Sequence, residues 1–414
     1  MLRTGLVVRR QQLDAPAGPN TNMPALDGLR ILDLTRILAG PTCTQLLGDL
    51  GADVIKVERP GRGDDTRSWG PPFVRDADGE NTSESAYYLC ANRNKRSVAI
   101  DLGTAEGADL VRRLAARSDV LIENFKVGTL HRYDLGYEDL KDELPGLVYC
   151  SITGFGQTGP NAHRAGYDLL AQGYGGIMSL TGEPEGEPMK VGVGIADIVC
   201  GMYAATAILA ALRHRDHTGR GQHIDLALVD TQMAWLVNEG TNYLTSGAVP
   251  QRRGNEHPNI VPYGVFETAD GHVIVAVGND AQYERFCELL GASELASDER
   301  FRTNAGRLAH RDELVARLSD LVRGLSSAEV LAGLEARGVP GGPIHDLEEA
   351  LASDQAEARG MTIDLPHPLS GSGTVRMVAN PIRMSETPVT YRRSPPVCGA
   401  DTDEVIAELL GDDD

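Results

Sequence analysis

Asp197 is the side chain best placed for covalent chemistry in this chain. It follows Gly192-Val193-Gly194-Ile195-Ala196 and precedes an Ala-rich apolar run, Ile198 to Leu212, with helical spacing. A carboxylate at such a junction can cap the helix by accepting from its first free N–H groups. It can also be a nucleophile, because Gly192 and Gly194 leave a large substrate room to approach. Position alone leaves both readings open. Arginines form the second set of candidates. Arg36 and Arg59 follow short apolar segments, Arg67 lies just beyond Arg59, and Asn124 follows a third such segment. One arginine is ordinarily a solvated charge, but several in converging loops suit a phosphate-bearing ligand.

Gly154-Phe155-Gly156-Gln157-Thr158-Gly159 matches the G-x-G-x-x-G pattern of dinucleotide loops. The surroundings do not fit that use. Pro160-Asn161-Ala162-His163 is a poor helix start, and no acidic residue closes a second strand roughly 20 residues on. The segment reads instead as a turn that brings backbone close to another ligand. There is no P-loop, zinc spacing or G-x-S-x-G elbow, so no metal and no tightly bound cofactor is expected.

The elements that must position these groups alternate. Arg30 to Leu34 reads as a strand, Pro41 opens a helix ending near Gly51, and Asp53 to Val57 reads as a second strand. That βαβ unit calls for a parallel sheet. Ala105 to Arg117 reads as a helix, Val120 to Glu123 as a strand, Leu130 to Leu144 as helical turns, and Leu147 to Thr153 and Gln222 to Leu226 as strands. The fold class is therefore α/β, with an open Rossmann-like parallel sheet in a large domain over residues 24–225. Residues 226–257 read as a linker whose helix spans Val229 to Leu244. A smaller α+β domain follows over 258–345, opening with a hairpin, Tyr263 to Thr268 and His272 to Val277, around a type I′ turn at Asp270-Gly271. Residues 346–414 return to the large domain and end in a helix from Asp403 to Leu410. Residues 1–23 read as a disordered leader.

Composition narrows the partners. The 414 residues carry a formal net charge of -20, which argues against nucleic acid and anionic membrane surfaces. Between Asp27 and Arg96, however, ten basic side chains face eleven acidic ones, so a small polyanion can bind there. Six widely spaced cysteines with no C-x-x-C pair fit reduced thiols in a cytoplasmic protein, with Cys43, Cys150 and Cys200 as core residues. No run of 18 apolar residues occurs, so no membrane span is expected.

Together these segments resemble the class III CoA-transferases (CaiB/BaiF type). The resemblance runs from Leu26 onward. It rests on Leu26-Asp27-Gly28-Leu29-Arg30-Ile31-Leu32-Asp33, Ala39-Gly40-Pro41, Gly51-Ala52-Asp53-Val54-Ile55-Lys56-Val57-Glu58-Arg59-Pro60 and Asn92-Arg93-Asn94-Lys95-Arg96-Ser97. It continues through Glu123-Asn124-Phe125, the Gly154 to Pro160 segment and Ala165-Gly166-Tyr167-Asp168. The resemblance implies that Asp197 is the nucleophile, its carboxylate kept ionised by the helix N-terminus. It implies CoA contacts at Leu38, Ala39, Arg59, Ile100, Asp101, Leu102, Gly103, Asn124, Phe125, Lys126 and Arg132, and at Arg164, Ala165, Gly166 and Tyr167. A phosphate-binding lysine of the family falls on Ala165, with Arg164 beside it. Coenzyme A and its thioesters are then substrates, and two chains are expected to interlock as a homodimer.

Racemases of this group keep a histidine where this chain has Tyr167, just before Asp168. A tyrosine of ordinary pKa, ~10, is a poor second base at neutral pH, so transfer is favoured over α-carbon racemisation. Gly63 to Val74 and Arg252-Arg253-Gly254-Asn255-Glu256-His257-Pro258-Asn259 look most like succinyl-CoA:glutarate transferases. That implies a dicarboxylic acceptor, with Arg67, Trp69, Asp168, Arg252, Arg253 and His257 as substrate-side candidates and the Gly254 N–H as an oxyanion donor. A non-catalytic CoA- or nucleotide-binding protein, with Asp197 only a cap, is the reading from another class.

Overall fold

Six parallel strands carry the molecule. A computed structural model describes residues Met23 to Gly411, so the leader expected over 1–23 lies, but for Met23, outside the described residues. The strands are β1 (Arg30–Asp33), β2 (Asp53–Glu58), β3 (Phe73–Arg75), β4 (Asn81–Ser85), β5 (Lys95–Ala99), β6 (Val120–Glu123), β7 (Val148–Thr153) and β8 (His223–Ala227). All but β3 and β4 form one sheet in the order β5-β2-β1-β6-β7-β8, every pair parallel. Alternate side chains enter two separate cores. Ile31, Val54, Ile122 and Cys150 pack with the helices Ala39–Asp49 and Ile195–Thr218. Leu32, Ile55, Leu121 and Tyr149 pack with the helices Ala105–Ala116 and Thr402–Leu410. Burial on both faces explains why these strands read as continuous apolar runs.

The sheet order reverses between β1 and β6. Loops leaving the carboxyl ends of those two strands therefore diverge and open a crevice. They are tied across it: Arg36 N–H donates to Asn124 Oδ1 at 3.0 Å, and Asn124 Nδ2 donates back to the Arg36 carbonyl at 2.7 Å.

The long helix Ile195–Thr218 is apolar and long enough, by composition, to cross a membrane; 56% of its most apolar window is buried within the fold. It packs on the Ala39–Asp49 helix through Gly201, where an added Cβ would lie 2.5 Å from the Ala39 carbonyl oxygen.

The remaining strands are β9 (Tyr263–Glu267), β10 (His272–Ala276), β11 (Gly341–Pro343), β12 (Thr362–Pro366) and β13 (Thr374–Val378). β9, β10 and β11 form an antiparallel sheet with its own core of Phe266, Val275, Phe286, Leu318 and Val330. The turn between β9 and β10 is not type I′. Neither Asp270 nor Gly271 has the positive φ that type requires. Instead Asp270 Oδ1 accepts from Thr268 Oγ1 and from the Ser327 N–H, which anchors the turn to the helix Ser327–Ala336. The helix expected over Val229–Leu244 is also two pieces, Leu228–Ala234 and Val237–Ser246, broken where Val237 takes φ 35°.

Gly201→Ala separates two effects. Helix propensity favours Ala by about 1 kcal/mol, while overpacking against a backbone oxygen costs about 1–3 kcal/mol. The clash should win, and urea unfolding should show net destabilisation. A more stable variant would mean that the two helices slide apart freely.

Candidate active site

The crevice at the switch point holds two adjoining cavities that share Arg36 and Phe125. Leu38, Ala39, Asn124, Lys126 and Asp197 are on the wall of the first, as are Arg164 to Tyr167. Arg59 and Ile100 to Gly103 are on the wall of the second. Arg132 is on neither wall; it lies on the turn Leu130–Tyr133, whose Tyr133 faces the second cavity.

A buried ionic lattice shapes the loop after β1. Asp33 accepts from Thr35 Oγ1 at 2.5 Å, Thr44 Oγ1 at 2.6 Å and Lys95 Nζ at 3.2 Å. Lys56 Nζ donates to the Thr35 carbonyl at 2.8 Å and to Asp64 Oδ2 at 2.9 Å. Burial presses Lys95 down to about 8, whereas Asp64 and Asp33 outweigh burial at Lys56 and hold its ammonium above the usual range. Asp64 also takes the N–H of Ile37, which sits at φ 74°, a left-handed conformation that a β-branched residue rarely adopts. This strained turn delivers Leu38 and Ala39 to the cavity wall.

Asp197 belongs to the first turn of the long helix, but it is not the cap. Asp168 is. Its Oδ1 accepts from the N–H groups of Ala196 at 2.8 Å and Asp197 at 3.4 Å. Its Oδ2 takes Gln172 Nε2 at 2.7 Å, and Gln172 in turn holds the Val191 N–H. Asp197 is 8% exposed as a residue, and among the described residues no group donates to its carboxylate. Burial first, and the Asp168 charge second, push it up to about 7. Burial without a donor thus works against the expected effect of the helix N-terminus, which is to keep the carboxylate ionised.

The glycine-rich turn sets this pair in place. A Cβ on Gly166 would fall 2.1 Å from Gly154 Cα, so the two backbones meet only because both residues are glycine. Tyr167 and Asp168 follow directly, and the Arg164 guanidinium lies 4.9 Å from the Phe155 ring centroid.

Several substrate-side candidates sit elsewhere. Arg67 is a buried structural ion: it binds Glu58 Oε1 at 2.6 Å, Glu84 at 2.7 Å and the Pro396 carbonyl, leaving nothing for a ligand. Arg252 donates to the carbonyls of Glu183 and Gly186, and Arg253 pairs with Glu239. The Gly254 N–H already donates to the Gly182 carbonyl, so it is not a free oxyanion donor. His257 Nδ1 accepts from the Asn259 N–H. None of these five lines the Asp197 cavity of its own chain. Trp69 packs edge-on against Tyr87, with ring centroids 5.2 Å apart. Tyr87 is the residue that sequence reasoning missed. Burial first, with the Asp197 charge next, raises its phenol to about 12, which keeps its hydroxyl neutral. Only the Tyr87-Tyr88 doublet hinted at it.

Comparison with known proteins agrees over most of the chain. The model of a family described as CoA-transferase family III matches residues 26–402. A succinate–glutarate CoA-transferase of Agrobacterium fabrum is 53% identical, covering 93% of this chain and 96% of its own. The human succinyl-CoA:glutarate CoA-transferase is 42% identical, covering 96% and 89%. A crystal structure of a CaiB/BaiF family protein from Brucella suis superposes with a TM-score of 0.82 at 50% identity, covering 94% of this chain and 100% of that one.

The unpaired carboxylate should weaken the fold in a pH-dependent way. Folded Asp197 holds its proton up to about 7, against 3.8 as the ordinary value. Stability therefore falls as pH rises between those values, and the cost is fully present above the upper one. Asp197→Asn should raise the unfolding free energy at pH ~8, by an upper bound of about 4 kcal/mol, and much less near pH ~4. Equal effects at both pH values, measured by urea titration, would contradict the raised pKa.

Proposed function

The chain belongs to CoA-transferase family III, and from that premise we propose that it moves CoA from succinyl-CoA to a dicarboxylic acid, glutarate foremost, through Asp197. One observation supports the Asp197 step above all. A carboxylate without a donor lies at the wall of a cavity flanked by arginine and glycine-rich backbone. Nucleophilic carboxylates are weak, and stripping water from one while leaving it unpaired raises its reactivity.

Ionised Asp197 attacks the thioester carbonyl and expels CoA thiolate, leaving a mixed anhydride. The thiolate attacks the aspartyl carbonyl, which releases the first carboxylic acid as its carboxylate and leaves an Asp197–CoA thioester. The acceptor carboxylate then runs the same two steps in reverse. Arg59, Arg164, Lys126 and the Ile100 to Gly103 wall hold CoA. The preferred acceptor follows from the names of the relatives and from the resemblance of the Arg252 to Asn259 segment.

Two copies of the chain interlock in this reading. Leu169, Leu170, Met202, Trp235 and Val237 are all more than a third exposed, an apolar surface of the kind that marks an interface. Arg252, Arg253 and His257, remote from Asp197 in their own chain, reach the site of the second copy.

Asp197→Asn should abolish exchange between succinyl-CoA and glutarate while CoA still binds. In the wild type, intact-protein mass spectrometry after incubation with succinyl-CoA should reveal a covalent CoA or succinyl adduct that the variant lacks. Substantial turnover by Asp197→Asn would remove the nucleophile assignment. A panel of succinate, glutarate, hydroxymethylglutarate, malate and itaconate as acceptors tests the dicarboxylate preference.

A further inference from the structure

Asp65 faces more positive charge than one carboxylate can neutralise. Its Oδ2 lies 2.5 Å from Arg36 Nη1, and its Oδ1 lies 3.3 Å from Arg59 Nη2 and 3.5 Å from Arg62 Nη2. The three arginine side chains are 36%, 47% and 70% exposed, unlike the sealed Arg67 pairs behind them. Exposed pairs of this kind contribute little to stability. Their position matters more. Arg36 lines both cavities and Arg59 the second, and the buried Arg36 Nε has no hydrogen-bond partner among the described residues. Three carboxylates line this wall: Glu58 is neutralised by Arg67, Asp64 by Lys56, and Asp101 Oδ1 is engaged by the Gly103 N–H. A net positive seat is left at the groove, arranged around one removable anion.

We propose that Asp65 is a built-in counter-ion, holding Arg36, Arg59 and Arg62 around the seat that the diphosphate of the incoming CoA thioester takes over. This rests on the CoA reading above and adds how the nucleotide end is held. Before binding, the carboxylate keeps three flexible guanidiniums gathered, so less ordering is left for the ligand to impose. After binding it stays beside the diphosphate as a like charge and weakens the hold on it. That suits a transferase, which must release one CoA thioester for every one it consumes: tighter uniform binding lowers KM without speeding the chemistry.

Asp65→Asn keeps the shape and one acceptor while deleting the charge. Calorimetric titration of the full chain with CoA, with pantetheine (which has no phosphate) and with inorganic pyrophosphate tests the seat. At low salt CoA and pyrophosphate should bind the variant about five- to tenfold more tightly than the wild type, and the gain should shrink at high salt. Pantetheine should bind both alike. Unchanged or weaker binding of CoA and pyrophosphate overturns the counter-ion role, as does an equal gain for pantetheine, which would place the effect in packing. The two readings fail separately. A wild type that binds no CoA removes the thioester reading, while a pyrophosphate gain in Asp65→Asn still establishes the seat.

Discussion

The site depends on a division of labour between two carboxylates on adjoining segments. The long helix begins with N–H groups that need an acceptor. Asp168, carried on the short helix Asp168–Tyr174 that precedes it, supplies it through one oxygen that meets both Ala196 and Asp197. Asp197 is thereby released from capping and left in a pocket with no donor of its own. The same oxygen that settles the helix end also stands close enough to press on the Asp197 charge. The Gly154–Gly166 contact matters because it fixes where Asp168 stands. A side chain at either glycine would push the loop away and unsettle the helix end and the carboxylate together.

A second constraint acts from below. Asp33, Lys56, Asp64 and Lys95 are sealed in the sheet, and together they fix a loop that bends through Ile37 in an unfavourable conformation. Buried pairs of this kind add little net stability, but breaking one costs about 3–5 kcal/mol. The lattice therefore works as a specification of loop shape. This also gives the chain's scarce lysines a physical sense. Two of them are fully buried, each in contact with a carboxylate and a backbone carbonyl. A bulkier, forked guanidinium is less suited to such a place.

The parallel sheet was legible because its strands are short apolar runs with β-branched residues, separated by helical periods. β6 falls on Val120–Glu123, the span that the pattern indicated. β5 was not visible as a strand. Lys95-Arg96-Ser97 is polar, and it is strand because Lys95 finds the buried Asp33 and Arg96 the half-buried Asp53. Asp197 could be singled out from the glycines before it and the helix after it. Its lack of a cap role could not, since that depends on Asp168, 29 residues away and brought close by a glycine contact that no periodicity records. Arg67 misled for a related reason: a loop arginine beside two aspartates looks solvated, and the partners that bury it, Glu58 and Glu84, come from separate strands.

The edge of the sheet at β5 has a consequence for how the molecule is made. Its outer backbone groups are met by residues far ahead in the sequence: Ser97 N–H by Asp401, Ala99 N–H by Thr402 Oγ1, and the neighbouring Asn94 side chain by the N–H groups of Arg392 and Arg393. During synthesis the six-stranded sheet therefore waits, with an open strand edge, while some three hundred further residues are added. A ribosome that stops after the three-stranded sheet of β9 to β11 releases a chain with that edge bare, and a bare edge pairs with whatever strand is nearest.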